Sequence, residues 1–156
     1  IISKIPNKTD LQIAEAIYTA VHTMLKYDKN SPAKNRGALA GLEAGTGLCE
    51  EFASLFVALA RASGIPARVV NGFATDKSPL LKNTGSSITG FRHQWAEFYI
   101  AGLGWLPADP TLHSNNKNLF ATLPLGHYIA QNYTDLPVRA SFQGGSLKIS
   151  YADTVK

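Results

Sequence analysis

The hydrophobic pattern of this chain changes its period at Pro66, and this change limits the folds that the chain can adopt. Before Pro66 the apolar residues recur at helical spacing, and after it apolar and polar residues alternate. The alternating segments, which predict strands, are 67–75, 92–100, 104–109, 127–133, 138–142 and 147–151. Helices followed by an antiparallel meander predict an α+β fold.

Two predicted helices carry clear end signals. Thr9, followed three residues later by Gln12, forms a capping box at the start of the first helix. The second helix is predicted to begin at about Cys49 and to end at Gly64, which suits a left-handed C-cap. Pro66 then prevents the helix from continuing. The polar connection between the two helices has room for one more short helical piece, around residues 38–42.

The composition limits the classes of protein to which the chain can belong. Its 156 residues are 45% hydrophobic and 17% charged, which suits a single globular domain over 1–156. The net charge of +4 comes from scattered Lys and Arg residues without a basic stripe, so we expect no nucleic-acid partner. No apolar run approaches the ~18 residues of a membrane span. Because the chain starts at Ile1 without Met, a larger protein is a reasonable expectation.

Cys49 is the single cysteine, so an internal disulfide and a paired-cysteine metal site are both excluded. At the first turn of a helix, the helix dipole and free backbone N–H groups favour a thiolate and can hold a developing oxyanion. Glu50 and Glu51 oppose the thiolate if they face it. The tight turn at Gly47 would let the backbone approach a substrate closely. The alternative is that Cys49 is a small buried core residue.

His93 and Asp109 are the two residues that could assist this cysteine. His93 opens a predicted strand, where its imidazole could act as general base and then as acid. Trp95 shares that strand face and could shield the site from water or contact substrate. A hairpin turn at 101–104 would bring Asp109 near His93 to orient its ring. Alternatively, His93 is a structural residue of its strand, and Asp109 forms a turn together with Pro110.

Four segments, in this order, resemble the transglutaminase-like superfamily. They are GLCEEFA at 47–53, RASGIPAR at 61–68, HQWAEFY at 93–99 and GWLPADPT at 104–111. The resemblance implies a papain-like core in which the nucleophile helix packs on an antiparallel sheet. It also implies a catalytic triad of Cys49, His93 and Asp109 and a thioester intermediate. Residues from His127 onward are similar to the closing strands of that family.

The resemblance implies that the substrate is a protein or peptide, whose acyl group passes to water or to an amine. Hydrolysis by a cysteine protease or amidase is favoured over cross-linking by a protein-glutamine transglutaminase. An acetyltransferase with the same triad, or a non-catalytic binding module on the same fold, would also fit the resemblance. Animal members stabilise the oxyanion with an upstream Trp, and none precedes Cys49 here. Without an acidic loop suited to calcium, we expect no metal and no cofactor.

Three further expectations complete the sequence-based picture. The loop 76–90 is long enough to form a substrate wall or lid, or else is a surface insertion. His113 and His127 are rivals for the general base, but neither lies in a matching motif, and His22 is expected to be a surface or core-filling residue of the first helix. The missing start and the setting of many relatives favour an extracytoplasmic or cell-envelope location, with the cytoplasm as the alternative.

Overall fold

The structure is a computed structural model, and it describes residues 8–75, 80, 87–112 and 118–133. The helices are α1 (Asp10–Met24), α2 (Gly37–Ala44) and α3 (Cys49–Ala62). The strands are β1 (Lys26–Tyr27), β2 (Thr46–Gly47), β3 (Ala67–Ala74), β4 (Arg92–Ile100), β5 (Gly104–Ala108) and β6 (Tyr128–Asn132). The predicted α+β fold is confirmed, and among the described helices none is long and apolar enough to cross a bilayer.

Local end signals position the helices as predicted. At the start of α1 the hydroxyl of Thr9 accepts a hydrogen bond from the Gln12 N–H (3.3 Å), and the Gln12 side chain accepts one from the Thr9 N–H (3.0 Å). After α3 the backbone of Gly64 has a φ of +84°, the left-handed conformation that glycine adopts without strain. Cys49 is therefore the first residue of α3, where helical N–H groups lack partners within the helix.

The main sheet has the strand order β5-β4-β3-β6, and every neighbouring pair is antiparallel. The meander β3-β4-β5 and the fourth strand were predicted, but β6 lies beside β3 rather than extending the meander next to β5. At that edge Tyr128 packs edge-on against Trp95, and Ile129 packs against the cluster around Phe73. Backbone pairing with β3 and the contacts of these two side chains therefore hold β6 at that edge. The strands predicted at 138–142 and 147–151 lie outside the described residues.

The core lies between α3 and the sheet, with α1 packed behind α3. Phe52 and Phe56 of α3 are buried against sheet residues that include Phe98, and the rings of Phe56 and Phe98 are 5.8 Å apart. The ring of Phe120 stacks on that of Phe98, with centroids 5.1 Å apart. This packing fixes α3 on the sheet, so that Cys49 and the start of β4 border the same cavity.

Candidate active site

A cavity of about 500 Å³ lies at the N-terminus of α3. It is lined by Asn35, Cys49, Glu50, Asn71, Gly72, Arg92, His93, Gln94 and Gln131. Four of these residues carry side-chain amides, and Cys49 is partly exposed within the cavity. The cavity therefore offers a thiol, an imidazole and several hydrogen-bonding groups to a polar substrate.

Glu51 holds the turn that leads into Cys49. Its side chain is 0% exposed, and its two oxygens accept hydrogen bonds from the backbone N–H groups of Leu48 (2.9 Å) and Arg36 (3.1 Å). Burial disfavours the charged carboxylate, but hydrogen bonds from the Glu50 side chain and these backbone groups outweigh it and lower the pKa of Glu51. Its two carboxylate oxygens are thus engaged by the turn.

Gly47 lies in the same turn and is buried against Glu51. A Cβ atom at Gly47 would lie 2.5 Å from the Cβ of Glu51, so a larger residue would displace the carboxylate from the turn. Close packing against Glu51 thus explains why position 47 is a glycine. The substrate contact expected of Gly47 stays a prediction.

His93 and Asp109 lie side by side, and both are nearly inaccessible to solvent. The Nε2 atom of His93 is 2.7 Å from Oδ2 of Asp109, and the two side chains are 9% and 0% exposed. Asp109 Oδ2 also accepts a hydrogen bond from the hydroxyl of Tyr128 at 2.7 Å. Its Oδ1 accepts the backbone N–H groups of Thr111 (3.0 Å) and Leu112 (3.2 Å). Four donors therefore hold one buried carboxylate.

Burial and mutual attraction have opposite effects on the charges of Asp109 and His93. Burial raises the pKa of Asp109, but the charge and hydrogen bonds of His93, Tyr128 and the backbone lower it below its ordinary value. Burial also opposes the imidazolium of His93, but the charge of Asp109 and hydrogen bonds to Asp109 and Cys49 raise the pKa of His93 to about 10. His93 is therefore cationic at neutral pH. Since Asp109 occupies Nε2, the ring nitrogen left to face Cys49 is Nδ1.

Trp95 and Tyr128 enclose the imidazole. The Trp95 ring is nearly parallel to that of His93, at 19° with centroids 6.3 Å apart, and it meets Tyr128 edge-on at 5.3 Å. Trp95 is buried and the cavity wall is formed by other residues. It therefore shields His93 from behind, and the direct substrate contact expected of it stays a prediction.

Sequence reasoning missed Tyr128 and Tyr18. The hydroxyl of Tyr18 accepts the N–H of Leu119 (3.0 Å) and donates to the carbonyl oxygen of Asp109 (3.4 Å). Burial raises the pKa of Tyr18 to about 12 despite the hydrogen bond from Leu119. It is thus a neutral tether for the backbone of Asp109. Both tyrosines fall in predicted elements, but one sequence has no signal for their long-range contacts with Asp109.

The other described histidines, His22 and the rival base His127, make contacts elsewhere. Nδ1 of His22 is 3.2 Å from the carbonyl oxygen of Pro110, and Nδ1 of His127 is 2.9 Å from that of Thr75. His113 lies outside the described residues, as does most of the loop 76–90, for which a substrate wall or lid and a surface insertion were both expected.

The charge state of His93 predicts how stability depends on pH. Its pKa rises from 6.5 to about 10 on folding, so its contribution is complete below pH 6.5 and is lost as the pH rises through about 10. Asp109 has a lowered pKa, so its contribution is present above pH 3.8 and is lost as the pH falls. We expect the stability advantage of the wild-type chain over His93→Gln to be greatest between pH 3.8 and 6.5 and to shrink towards pH 10.

Urea denaturation of both chains across this pH range would measure that difference. Because the two chains differ only at position 93, contributions that do not involve this residue cancel in the comparison. An advantage that grows between pH 6.5 and 10 would contradict the assigned imidazolium.

Comparison with known proteins places this chain in a family. The model of the transglutaminase-like superfamily matches residues 2–110. A candidate cysteine protease from Cytophaga hutchinsonii superposes with a TM-score of 0.54 at 27% identity, over 75% of this chain and 34% of that one. An uncharacterised protein from Haemophilus influenzae is 40% identical over 75 residues, which are 40% of this chain and 20% of that protein.

A protein-glutamine gamma-glutamyltransferase from Pseudomonas aeruginosa is 35% identical over 69 residues, covering 42% of this chain and 10% of that protein. The chain spans between 10% and 43% of the length of the curated relatives that it matches. The matched family model includes Cys49, His93 and Asp109 and covers well over half of the chain. The chain belongs to the transglutaminase-like superfamily.

Proposed function

We propose that this chain catalyses acyl chemistry on peptide or carboxamide bonds through a thioester on Cys49, with His93 as acid–base and Asp109 as its orienting partner. One observation carries the proposal. A buried carboxylate holds one nitrogen of an imidazole whose other nitrogen is left for the thiol, at the wall of one cavity. Thiol catalysis requires a nucleophile in contact with a base, and a third group that orients the base.

The reaction would proceed in two balanced steps. The Cys49 sulfur attacks the carbonyl carbon and forms a C–S bond, while backbone N–H groups at the start of α3 face the developing oxyanion. The C–N bond then breaks as the imidazolium of His93 gives its proton to the leaving nitrogen. Water attacks the thioester, His93 accepts its proton, and cleavage of the C–S bond releases a carboxylic acid and regenerates the thiolate–imidazolium pair. Asp109 keeps the ring oriented throughout.

Hydrolysis is the favoured outcome, and transfer to an amine is the alternative. The structural neighbour from Cytophaga hutchinsonii is a candidate cysteine protease, and its likeness extends over 75% of this chain. The likeness to the Pseudomonas aeruginosa glutamyltransferase extends over 42% of this chain and supports the alternative. Both outcomes use the same triad and differ only in the nucleophile that reaches the thioester.

Alkylation of Cys49 tests the triad without a known substrate. At pH 6.5 a free thiol is only about 1% ionised, whereas a thiolate paired with the His93 imidazolium reacts readily. We expect His93→Ala to slow the reaction with iodoacetamide at least about tenfold. His22→Gln is the matched control, because His22 contacts the Pro110 carbonyl and its replacement should leave the rate unchanged. Equal rates in all three proteins would refute the pairing.

A second assay separates the outcomes on substrate. The chain is incubated with casein and a fluorescent primary amine, with Cys49→Ala as the inactive control. New amino termini, or ammonia released without attachment of the label, would support hydrolysis if they require Cys49, and label attached to casein would support transfer. A reactive Cys49 with neither product would favour a binding module on the same fold.

A further inference from the structure

Arg92 is the first residue of β4, and it lines the same cavity as Cys49. Its side chain is exposed, and its guanidinium lies 6.0 Å from the ring centroid of Phe73, the residue opposite it in β3. A molecule that enters the cavity can therefore reach the guanidinium, whereas the imidazole of His93 is nearly inaccessible. Because arginine stays protonated in proteins, the cavity keeps a positive charge at its accessible wall.

The acidic residue of the cavity does not cancel this charge. Glu50 lines the cavity next to Cys49, and its side chain is hydrogen-bonded to that of Glu51. Two carboxyl groups can form a hydrogen bond with each other only when one of them carries a proton. Glu51 is buried and accepts backbone N–H groups with both of its oxygens, so the proton resides on Glu50. Glu50 is therefore neutral and does not repel an anion that enters the cavity.

Uncharged hydrogen-bond donors lie in the same cavity. Asn35 and Gln131 line it and are exposed, and each side-chain amide has two N–H donors. An arginine with neighbouring amides suits a carboxylate, which accepts several hydrogen bonds and binds a guanidinium most strongly. A space of 500 Å³ is on the order of 10 Å across, the length of about three extended peptide residues. One short peptide segment can therefore contact both Arg92 and the sulfur of Cys49.

We propose that Arg92 makes the site selective for acidic peptides, by binding an Asp or Glu side chain of the acyl donor close to the carbonyl that Cys49 attacks. This inference rests on the proposed function and narrows its substrate class from peptides and carboxamides in general to those with a nearby carboxylate. The carboxylate of a side chain is favoured over that of a chain end, because Arg92 is exposed and a peptide can continue past it into solvent. A neutral peptide lacks this charge-assisted contact and is disfavoured.

Two alkylating agents of similar size test the charge preference without a known substrate. Iodoacetate and iodoacetamide react at the same carbon and lose the same leaving group, but only iodoacetate carries a carboxylate. The ratio of their rates with Cys49 is divided by the ratio for the neutral thiol N-acetylcysteinamide. Because the His93 imidazolium also attracts anions, the decisive quantity is the change in this normalised ratio when Arg92 is replaced. We expect Arg92→Gln to lower it about fivefold and Arg92→Lys, which keeps the charge, to retain most of it.

Arg61→Gln is the matched control, because it removes the same charge from the other end of α3. Arg61 follows Cys49 by 61 − 49 = 12 residues, which places it about 18 Å away along the helix. At an ionic strength of about 0.1 M, exposed charges more than about 10 Å apart are largely screened, so the normalised ratio should stay at its wild-type value.

Three results would overturn the inference. They are an unchanged ratio in Arg92→Gln, an equal fall in Arg61→Gln, and a fall in Arg92→Lys as large as that in Arg92→Gln. If Arg92→Gln fails to fold by circular dichroism, Arg92→Met takes its place, because it keeps a long side chain next to Phe73 without the charge.

The source of the carboxylate is tested on dephosphorylated casein, in which the processed sites are mapped by mass spectrometry. We expect Asp or Glu within two residues of most sites, and we expect Arg92→Gln to lose this enrichment. Sites without the enrichment, or processing only at the end of the casein chain, would overturn an acidic side chain as the ligand of Arg92.

The proposed triad is judged by a different measurement, the dependence of the iodoacetamide rate on His93. Loss of that dependence would count against the triad. A dependence that persists while the normalised ratio stays at its wild-type value in Arg92→Gln would count against the role of Arg92 alone.

Discussion

Replacing Asp109 by alanine is expected to lower the free energy of unfolding by about 3–5 kcal/mol at pH 6.5, because one member of a buried ion pair is removed. The His93 imidazolium would remain buried without its counter-charge, and its pKa would fall from about 10. The hydroxyl of Tyr128 and the N–H groups of Thr111 and Leu112 would lose their acceptor. Urea denaturation of the purified variant measures this loss.

Asp109→Asn is the informative control for this substitution. The asparagine oxygen can still accept the N–H groups of Thr111 and Leu112, so this variant should lose less stability than the alanine variant. Its amide nitrogen would face His93 Nε2, which must then be unprotonated to accept a hydrogen bond. We therefore expect both variants to show slow alkylation of Cys49 at pH 6.5. A wild-type stability in Asp109→Ala would mean that this carboxylate does not balance a buried charge.

Short-range signals in the sequence predicted most of the described elements. Thr9 with Gln12 marked the start of α1, and Gly64 with Pro66 marked the end of α3. The alternation after Pro66 predicted β3, β4, β5 and β6 to within two residues. These signals work because caps and side-chain periodicity depend on residues only a few positions apart.

Long-range contacts could not be predicted in the same way. The sheet position of β6, and with it the contact of Tyr128 with Asp109, depends on which apolar surface that strand covers. The hydrogen bond between Tyr18 and Leu119 joins residues 101 positions apart. No periodicity in one sequence encodes such a pair. The sequence therefore indicated the candidate residues Cys49, His93 and Asp109, but not the tyrosines that contact Asp109.

Glu51 shows a second limit of sequence reasoning. A glutamate in the first turn of a helix is expected to face solvent near the positive end of the dipole. The structure buries it completely, because the N–H groups of Leu48 and Arg36 need an acceptor in the turn before Cys49. The carboxylate of Glu51 accepts hydrogen bonds from the backbone of the turn. The residue type alone does not tell whether a glutamate is buried in this way or exposed on the surface.

The close approach of β6 to β3 leaves less room for a side chain at Gly72 than at the other glycines compared among the described residues. A Cβ atom there would overlap the carbonyl oxygen of Ile129 and would lie 2.9 Å from Cη2 of Trp95 and 3.1 Å from Cα of Ala130. Backbone atoms cannot move aside as a flexible side chain can, so the two strands would have to separate. We expect Gly72→Ala to cost about 3 kcal/mol of unfolding free energy, at the upper end of overpacking effects.

The same substitution should also affect the site, because β6 carries Tyr128 to Asp109. Gly90→Ala is the matched control: a Cβ atom there meets nothing within 4 Å, so its stability should stay within about 0.5 kcal/mol of wild type. Urea denaturation and the iodoacetamide rate of Cys49 are measured on both variants. If Gly72→Ala matches Gly90→Ala in both measurements, β6 does not lie against β3 as closely as described. If Gly72→Ala is destabilised but its folded fraction alkylates at the wild-type rate, the hydroxyl of Tyr128 is dispensable for holding Asp109 against His93.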